Sequence, residues 1–182
     1  GKAMKVLAVL ASPRKGGNTE ILVDEMLMGA QQKGYNAEKV SLYDCEILPC
    51  LDCRGCKRAS SGYICALQDG MSEVYSRLEE ADIIIFATPV YWYGPTAKMK
   101  LFIDRLRPYI SSRKLAGKKG LVISPSAEGA SCCGPLLQMF AMSFDYLGMV
   151  NAGSLLAQAY EKGEIKKNPG ELERAKEMGL SL

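Results

Sequence analysis

Short apolar runs alternate with amphipathic helical patterns along most of this 182-residue chain. The predicted strands are 6–11, 36–42, 82–88, 120–124 and 151–158, and the predicted helices are 21–33, 71–80, 99–106, 136–147 and 171–178. Residues 82–88 are the most apolar, which is typical of a central strand buried on both faces. Regular alternation predicts an α/β fold: a doubly wound, five-stranded parallel sheet with helices on both faces.

Composition narrows the class of protein. Hydrophobic residues make up 48% of the chain and charged residues 24%, with a formal net charge of +3, and the length suits a single domain over residues 1–182. No basic stripe favours a nucleic-acid partner, and no apolar run is long enough to span a bilayer. Without a secretory signal pattern, a cytoplasmic location is expected.

The chain has seven cysteines and no histidine. Lack of histidine removes the commonest general base and the commonest nitrogen ligand of zinc. An odd number of cysteines without an export pattern predicts reduced thiols or metal-bound thiolates, not a disulfide framework. Five of them lie in a loop at about residues 45–70, which interrupts the strand–helix alternation.

The turn between the first strand and the first helix, residues 12–19, is rich in small and hydroxyl-bearing residues. A strand–turn–helix unit directs backbone N–H groups and the positive end of a helix dipole at one point, which favours an anion. Arg14 adds a cation, Ser12 adds a donor, and Asn18 or Thr19 is the expected N-cap. Because the turn matches neither the dinucleotide nor the triphosphate motif, a single phosphate ester is predicted, with an ordinary βα turn as the alternative.

Three consecutive aromatic residues, Tyr91, Trp92 and Tyr93, follow the third predicted strand. In a doubly wound sheet, the loops that leave strands one, three and four meet at the carboxyl edge and are expected to build one site. Exposed rings there favour contact with a planar ligand. Packing on a neighbouring helix or a partner subunit is the alternative.

Three segments together resemble the NADPH-dependent FMN reductase family of flavodoxin-like proteins. They are Ser12-Pro13-Arg14-x-Gly16-Gly17-Asn18-Thr19, Thr88-Pro89-Val90-Tyr91-Trp92 and Lys100-x-Phe102-x-Asp104-Arg105. The resemblance implies strand order 2-1-3-4-5 and bound FMN, with the phosphate at Ser12, Arg14, Gly17, Asn18 and Thr19. It implies that the ring lies against Pro89, Val90, Tyr91, Trp92 and Gly94, with Tyr93 also in the cofactor site. The loop 124–128, with Ser124 and Ser126, would close the other side of the ring.

The resemblance also implies an enzyme that takes electrons from NAD(P)H onto FMN and passes them to a quinone, a free flavin or another acceptor. Because the flavin carries the reaction, no catalytic side chain is predicted, and Asp104 and Arg105 are interpreted as a structural pair. The exposed rings of Trp92 and Tyr93 predict a homodimer or homotetramer whose interface flanks the flavin. A flavin-binding regulatory module is a further alternative.

Cys50, Cys53, Cys56 and Cys65 form a second pattern. Three thiols separated by two-residue gaps can converge on one cluster, with a fourth supplied from further along the chain. The pattern is similar to the compact motif of the iron–sulfur flavoproteins, which hold a [4Fe–4S] cluster, although the gap before Cys65 is longer than is usual there. This implies an alternative function: an electron carrier between a ferredoxin-like donor and FMN. Free thiols in a structural loop, or a zinc site, are the other interpretations.

The remaining cysteines receive no functional role from the sequence. Cys45 is interpreted as a bystander. Cys132 and Cys133 are adjacent, are not expected to point the same way, and are interpreted as packing residues.

Overall fold

One parallel sheet organises the computed structural model, which describes all residues from 1 to 182. Its strands are β1 (Lys5–Leu10), β2 (Asn36–Ser41), β3 (Ile83–Ala87), β4 (Lys119–Ser126) and β5 (Val150–Gln158). They are ordered β2-β1-β3-β4-β5, and every pair is parallel. This is the flavodoxin-like order, so the predicted fold class is confirmed.

Six α-helices cover the two faces of the sheet. They are α1 (Asn18–Gln32), α2 (Met71–Glu80), α3 (Ala97–Asp104), α4 (Pro108–Ser112), α5 (Gly134–Leu147) and α6 (Pro169–Leu180). Side chains from β1 alternate between two cores: Leu7 and Val9 pack with α2 to α5, whereas Val6 and Ala8 pack with α1 and α6. None of the helices is long and apolar enough to cross a lipid bilayer.

The helix predicted to stop at Pro108 differs in the structure. α3 ends at Asp104, and Pro108 begins the separate short helix α4. Proline suits this first helical position because its fixed φ is already helical and its missing N–H would have no acceptor there. The expectation of five helices is therefore wrong by one.

Helices α1 and α6 approach each other closely at two glycines. A Cβ atom at Gly29 would overlap the carbonyl oxygen of Lys176, and one at Gly179 would overlap that of Met26. The obstacles are backbone atoms, which cannot rotate away as a side chain can. This contact fixes α6 and, with it, the preceding segment that runs back to the carboxyl end of β5.

The cysteine-bearing loop between β2 and α2 is irregular apart from three short 3-10 helices, Leu42–Asp44, Gly55–Lys57 and Ala59–Ser61. Its two ends are joined to each other. The N–H of Gly70 donates to the carbonyl of Glu46 at 2.8 Å, and the N–H of Leu48 donates to the Asp69 carboxylate at 2.8 Å. These bonds close the loop at its base and hold it as one unit beside α3.

Candidate functional site

A cleft of about 170 Å³ lies at the carboxyl edge of the sheet, between the loops that follow β1, β3, β4 and β5. Parallel α/β sheets bind ligands at this edge because the loops diverge where the strand order reverses. Eight of the thirteen predicted FMN-binding residues line it. They are Ser12, Arg14, Asn18, Thr19, Pro89, Val90, Tyr91 and Ser126. The structure thus brings the three predicted loops together.

The other five predicted residues do not line the cleft. Gly17 caps α1, and Trp92, Tyr93 and Gly94 belong to a turn beyond the cleft. Ser124 is fully buried, and its hydroxyl donates to the carbonyl of Thr88 at 2.7 Å. That bond ties the ends of β3 and β4 together, so Ser124 shapes the cleft from below.

The β1–α1 turn leaves the start of α1 without a side-chain cap. Gly17 is the N-cap, not Asn18 or Thr19 as expected, and no side chain accepts from the first helical N–H groups. Such unpaired donors, at the positive end of a helix, are suited to bind an anion. A Cβ at Gly17 would lie 2.9 Å from the carbonyl oxygen of Arg14, so this turn requires glycine for close approach.

A carboxylate also lies at this turn. Glu20 accepts a hydrogen bond from the N–H of Gly16 at 2.6 Å and pairs with Lys39 at 3.1 Å. The hydrogen bond from the Gly16 N–H lowers the pKa of the Glu20 carboxyl below its ordinary value, and the Lys39 ammonium lowers it by a smaller amount. Glu20 therefore stays ionised and holds the outer side of the turn, where it keeps the chain folded back on α1.

The segment after β5 completes the cleft, and sequence reasoning missed it. Ala159 and Tyr160 line the wall. Arg14 donates to the carbonyl of Tyr160 at 2.9 Å. The Asn18 amide donates to the carbonyl of Glu161 at 2.9 Å and accepts from the N–H of Ile165 at 3.0 Å. Asn18 thus joins α1 to this segment. Only its position after a strand of the sheet could have indicated the segment, since it carries no motif.

The aromatic residues after β3 form a tight reverse turn. Tyr91 and Gly94 exchange hydrogen bonds, with the N–H of Tyr91 donating at 2.8 Å and that of Gly94 at 3.1 Å. Between them, Trp92 has φ 52° and Tyr93 has φ 65°. Bulky residues seldom adopt positive φ, and such strain concentrates at ligand and partner sites. Trp92 is 95% exposed, so the turn holds a large apolar ring in solvent, next in the chain to Tyr91 of the cleft wall.

All four cysteines of the second pattern line one cavity of about 20 Å³ between the loop and α3. Cys50 and Cys53 are exposed, Cys65 is half-buried and Cys56 is buried. No three cysteine or acidic side chains are arranged so that they could hold a metal ion. The structure brings the four thiols to one place, beside the cations of Arg105 and Arg107, without closing them into a ligand set.

A buried ion pair lies at the base of this loop. Arg105 donates to the two carboxylate oxygens of Asp69 at 2.6 and 3.1 Å and to the carbonyl of Leu48 at 2.8 Å. Its Nη2, which donates the longer of the two bonds to Asp69, also donates to the sulfur of Cys65 at 3.4 Å. The predicted pairing of Arg105 with Asp104 is wrong, because neighbouring helical residues face different directions; Asp104 pairs with Lys100 at 2.6 Å, four residues earlier.

The family model for NADPH-dependent FMN reductases matches residues 4–161. The chain belongs to this family. An iron–sulfur flavoprotein of Methanocaldococcus jannaschii is 32% identical to it over 187 residues, which cover 98% of this chain and 95% of that protein. A Bacillus subtilis protein named as an NAD(P)H-dependent FMN-containing oxidoreductase is 30% identical over 91% of each chain. The solved structure of a Trp repressor binding protein from Bacillus subtilis superimposes with a TM-score of 0.71, at 26% identity, and covers 96% of this chain and 98% of that one.

Membership of this family makes the protein an FMN-dependent oxidoreductase. The cleft fits such a cofactor at both ends. The uncapped start of α1 and the cation of Arg14 suit a phosphate, and Pro89, Val90 and Tyr91 supply apolar surface for a planar ring. In the cysteine loop the donor set is right for iron, since thiolates are the usual ligands of iron–sulfur clusters.

Proposed function

We propose that residues 1–182 form one FMN-binding domain that oxidises NAD(P)H and passes the electrons to a quinone, a free flavin or another acceptor. The observation that carries this proposal is the uncapped start of α1, which faces the same cleft as the apolar residues after β3. When bound, FMN supplies the electron-transfer chemistry, and the protein binds and orients it.

The phosphate is held by the β1–α1 turn. The N–H groups at the start of α1 and the hydroxyls of Ser12 and Thr19 act as donors, and Arg14 adds positive charge. Asn18 does not bind the phosphate through its side chain, because both polar atoms of its amide already form hydrogen bonds to the segment after β5. Its role is to hold that segment against the start of α1. Gly17 allows the turn to pass close to Arg14.

The ring lies between two loops. Pro89, Val90 and Tyr91 form one wall, and the end of β4, including Ser126, forms the other together with Ala127. Ser124 acts from below by fixing the distance between β3 and β4. Trp92, Tyr93 and Gly94 overhang the open side, where they exclude water from the approach of a nicotinamide or an acceptor.

The protein acts as a homodimer or homotetramer with its interface beside the cleft. Support comes from Trp92 and Tyr93, two exposed rings on a strained turn, since an isolated apolar surface of this kind is typical of an interface. Light scattering at micromolar concentration tests the proposal, and a monomer would contradict it.

FMN binding is tested by titrating the anaerobically purified protein with FMN and following flavin fluorescence. We expect saturation at one FMN per chain, and bleaching of the bound flavin when NADPH or NADH is added. Ser12→Ala, in the cleft, should weaken binding, whereas the matched control Lys15→Ala should not, because Lys15 points to solvent and pairs with Asp44. Absence of FMN binding even at a high excess of FMN would refute the proposal.

A second candidate is an electron carrier in which Cys50, Cys53, Cys56 and Cys65 hold a [4Fe–4S] cluster. The observation in its favour is that the four thiols share one cavity with three arginines, Arg54, Arg105 and Arg107, whose positive charge suits an anionic cluster. When bound, such a cluster supplies one-electron transfer, here between a ferredoxin-like donor and FMN.

Iron and acid-labile sulfide analysis after anaerobic purification separates the two candidates. Four of each per chain, lost in Cys53→Ala but kept in Cys45→Ala, supports the carrier. A yellow, iron-free protein that NADPH reduces supports the reductase, with free thiols in the loop.

A further inference from the structure

Cys132 and Cys133 turn their sulfurs to the same side, contrary to the sequence-based expectation. Both thiols donate to the carbonyl oxygen of Gly129, from Cys132 at 3.5 Å and from Cys133 at 3.3 Å. Both also contact the hydroxyl oxygen of Ser126, at 3.4 and 4.0 Å respectively. Both sulfurs therefore lie next to the same two oxygen atoms, on one side of the turn.

Local backbone geometry explains this convergence. Cys132 ends the 3-10 helix Gly129–Cys132, and Cys133 keeps helical dihedral angles, φ −96° and ψ −1°. Gly129 lies three residues before Cys132 and four before Cys133, and residues at these two spacings lie on the same face of a helical segment, so both thiols can reach its carbonyl. The carbonyl of Gly129, whose φ of 64° starts the turn, points back at both thiols.

The pair is accessible at one end and lies next to the cleft. Cys133 is buried and Cys132 is partly exposed. Ser126, which both sulfurs contact, lines the cleft. A small reagent can therefore reach Cys132 first and then the second thiol behind it.

A direct bond between these sulfurs is disfavoured by chain geometry. Adjacent Cα atoms are about 3.8 Å apart, shorter than the roughly 4.4–6.8 Å that disulfides span. One atom that bonds to both sulfurs does not require the Cα spacing of a disulfide. Thiolates are soft ligands, so a pair of them binds soft metal ions and metalloids in preference to hard cations.

We propose that Cys132 and Cys133 form a two-thiol binding site for a soft, thiophilic ion or metalloid beside the cleft. The proposal does not depend on what the cleft binds. A trivalent arsenical, phenylarsine oxide, reports on it because it needs two nearby thiols. Each thiol loses its proton, two As–S bonds form, the As–O bond breaks, and the oxygen leaves as water, with no change of oxidation state.

The experiment must distinguish reaction at this pair from reaction at the other five cysteines. The tryptic peptide 120–162 contains Cys132 and Cys133 and no other cysteine, so mass spectrometry assigns an adduct there without ambiguity. The double variant Cys50→Ser/Cys53→Ser removes the two exposed thiols of the loop, which could compete for the reagent. This variant is the background for the measurement.

The experiment treats the folded background protein, without oxygen, with one equivalent of phenylarsine oxide. We expect one adduct on peptide 120–162 that survives glutathione and is released by dithiothreitol. Cys132→Ala should weaken binding by about tenfold or more, because the second bond of a chelate forms at high effective concentration. Cys45→Ala, the matched control, should leave the adduct unchanged.

Cys133→Ala should have the same effect as Cys132→Ala, and circular dichroism must show that each variant is folded. Since Cys132 is partly exposed, Cys132→Ala decides the question if the buried substitution disturbs folding. An adduct that persists in folded Cys132→Ala, or no adduct on peptide 120–162 in the background protein, overturns the proposal.

Discussion

Arg105 and Asp69 form a two-pronged ion pair beneath the cysteine loop, with side chains only 1% and 3% exposed. Asp69 also accepts from the N–H groups of Leu48 and Met71, at 2.8 and 3.0 Å. The pair therefore joins α3 to both ends of the loop. The Nε of Arg105 is buried without a hydrogen-bond partner. The positive charge of the buried guanidinium is therefore balanced by Asp69.

Removing one member of this pair should strongly destabilise the protein. Asp69→Asn leaves a buried cation without a counter-charge, and we expect a loss of about 3–5 kcal/mol in the free energy of unfolding, measured by urea denaturation. Asp104→Asn, on the neighbouring residue, breaks only a half-exposed pair with Lys100 and should cost roughly 0.5 kcal/mol or less. Equal losses in the two variants would contradict the assignment.

The same pair predicts a dependence of stability on acid. Burial alone would raise the pKa of Asp69, but hydrogen bonds from Arg105 and from the N–H groups of Leu48 and Met71 hold it below the ordinary 3.8. Because the folded-state pKa lies below the unfolded one, this stabilisation is present above about pH 4 and is lost as the pH falls further. Urea midpoints between pH 7 and pH 3 should fall less steeply in Asp69→Asn than in the wild type.

The close approach of α1 and α6 predicts a second position, Gly179, at which a substitution should destabilise the protein. In Gly179→Ala the new methyl group meets the backbone of Met26, so we expect a loss of about 1–3 kcal/mol. The shift of α6 should also weaken FMN binding, because the segment after β5 lines the cleft. Gly134→Ala, at a helical position with open space around it, should leave the thermal midpoint unchanged or raise it. An unchanged melting temperature in Gly179→Ala would show that α6 is held elsewhere.

Gly17 tests the role of the β1–α1 turn in phosphate binding. Gly17→Ala places a methyl group 2.9 Å from the carbonyl oxygen of Arg14, which forces the turn away from the start of α1. We expect FMN affinity, measured by fluorescence titration, to fall by about tenfold, the equivalent of one displaced charge-assisted hydrogen bond. Riboflavin, which lacks the phosphate, should bind both proteins equally weakly. A similar loss for riboflavin would place the effect outside the phosphate site.

Replacing Trp92 should lower activity without lowering the stability of the fold. Asparagine tolerates the positive φ of this position better than tryptophan, and the exposed ring makes little contact within the chain. Trp92→Asn should therefore be as stable as the wild type or slightly more so in thermal unfolding, while NADPH oxidation with a quinone acceptor slows. Unchanged turnover and unchanged oligomeric state together would remove any functional role for the ring.

Sequence periodicity was enough to predict the architecture. The strand–helix alternation and the apolar run of β3 depend on neighbouring residues, so the order of elements and the sheet class follow from local pattern. The place of the cleft followed as well, because the topology brings the loops after β1, β3 and β4 to one edge. Those predictions needed no knowledge of side-chain packing.

Contacts between distant residues were decided only in three dimensions. Arg105 pairs with Asp69 rather than with adjacent Asp104, and Asn18 bonds a segment more than a hundred residues away. The thiols of Cys132 and Cys133 both reach the carbonyl of Gly129, three and four residues earlier, because the backbone there is helical. A sequence pattern carries the period of an element, whereas the direction of each side chain and the identity of its partner depend on how the packed elements meet.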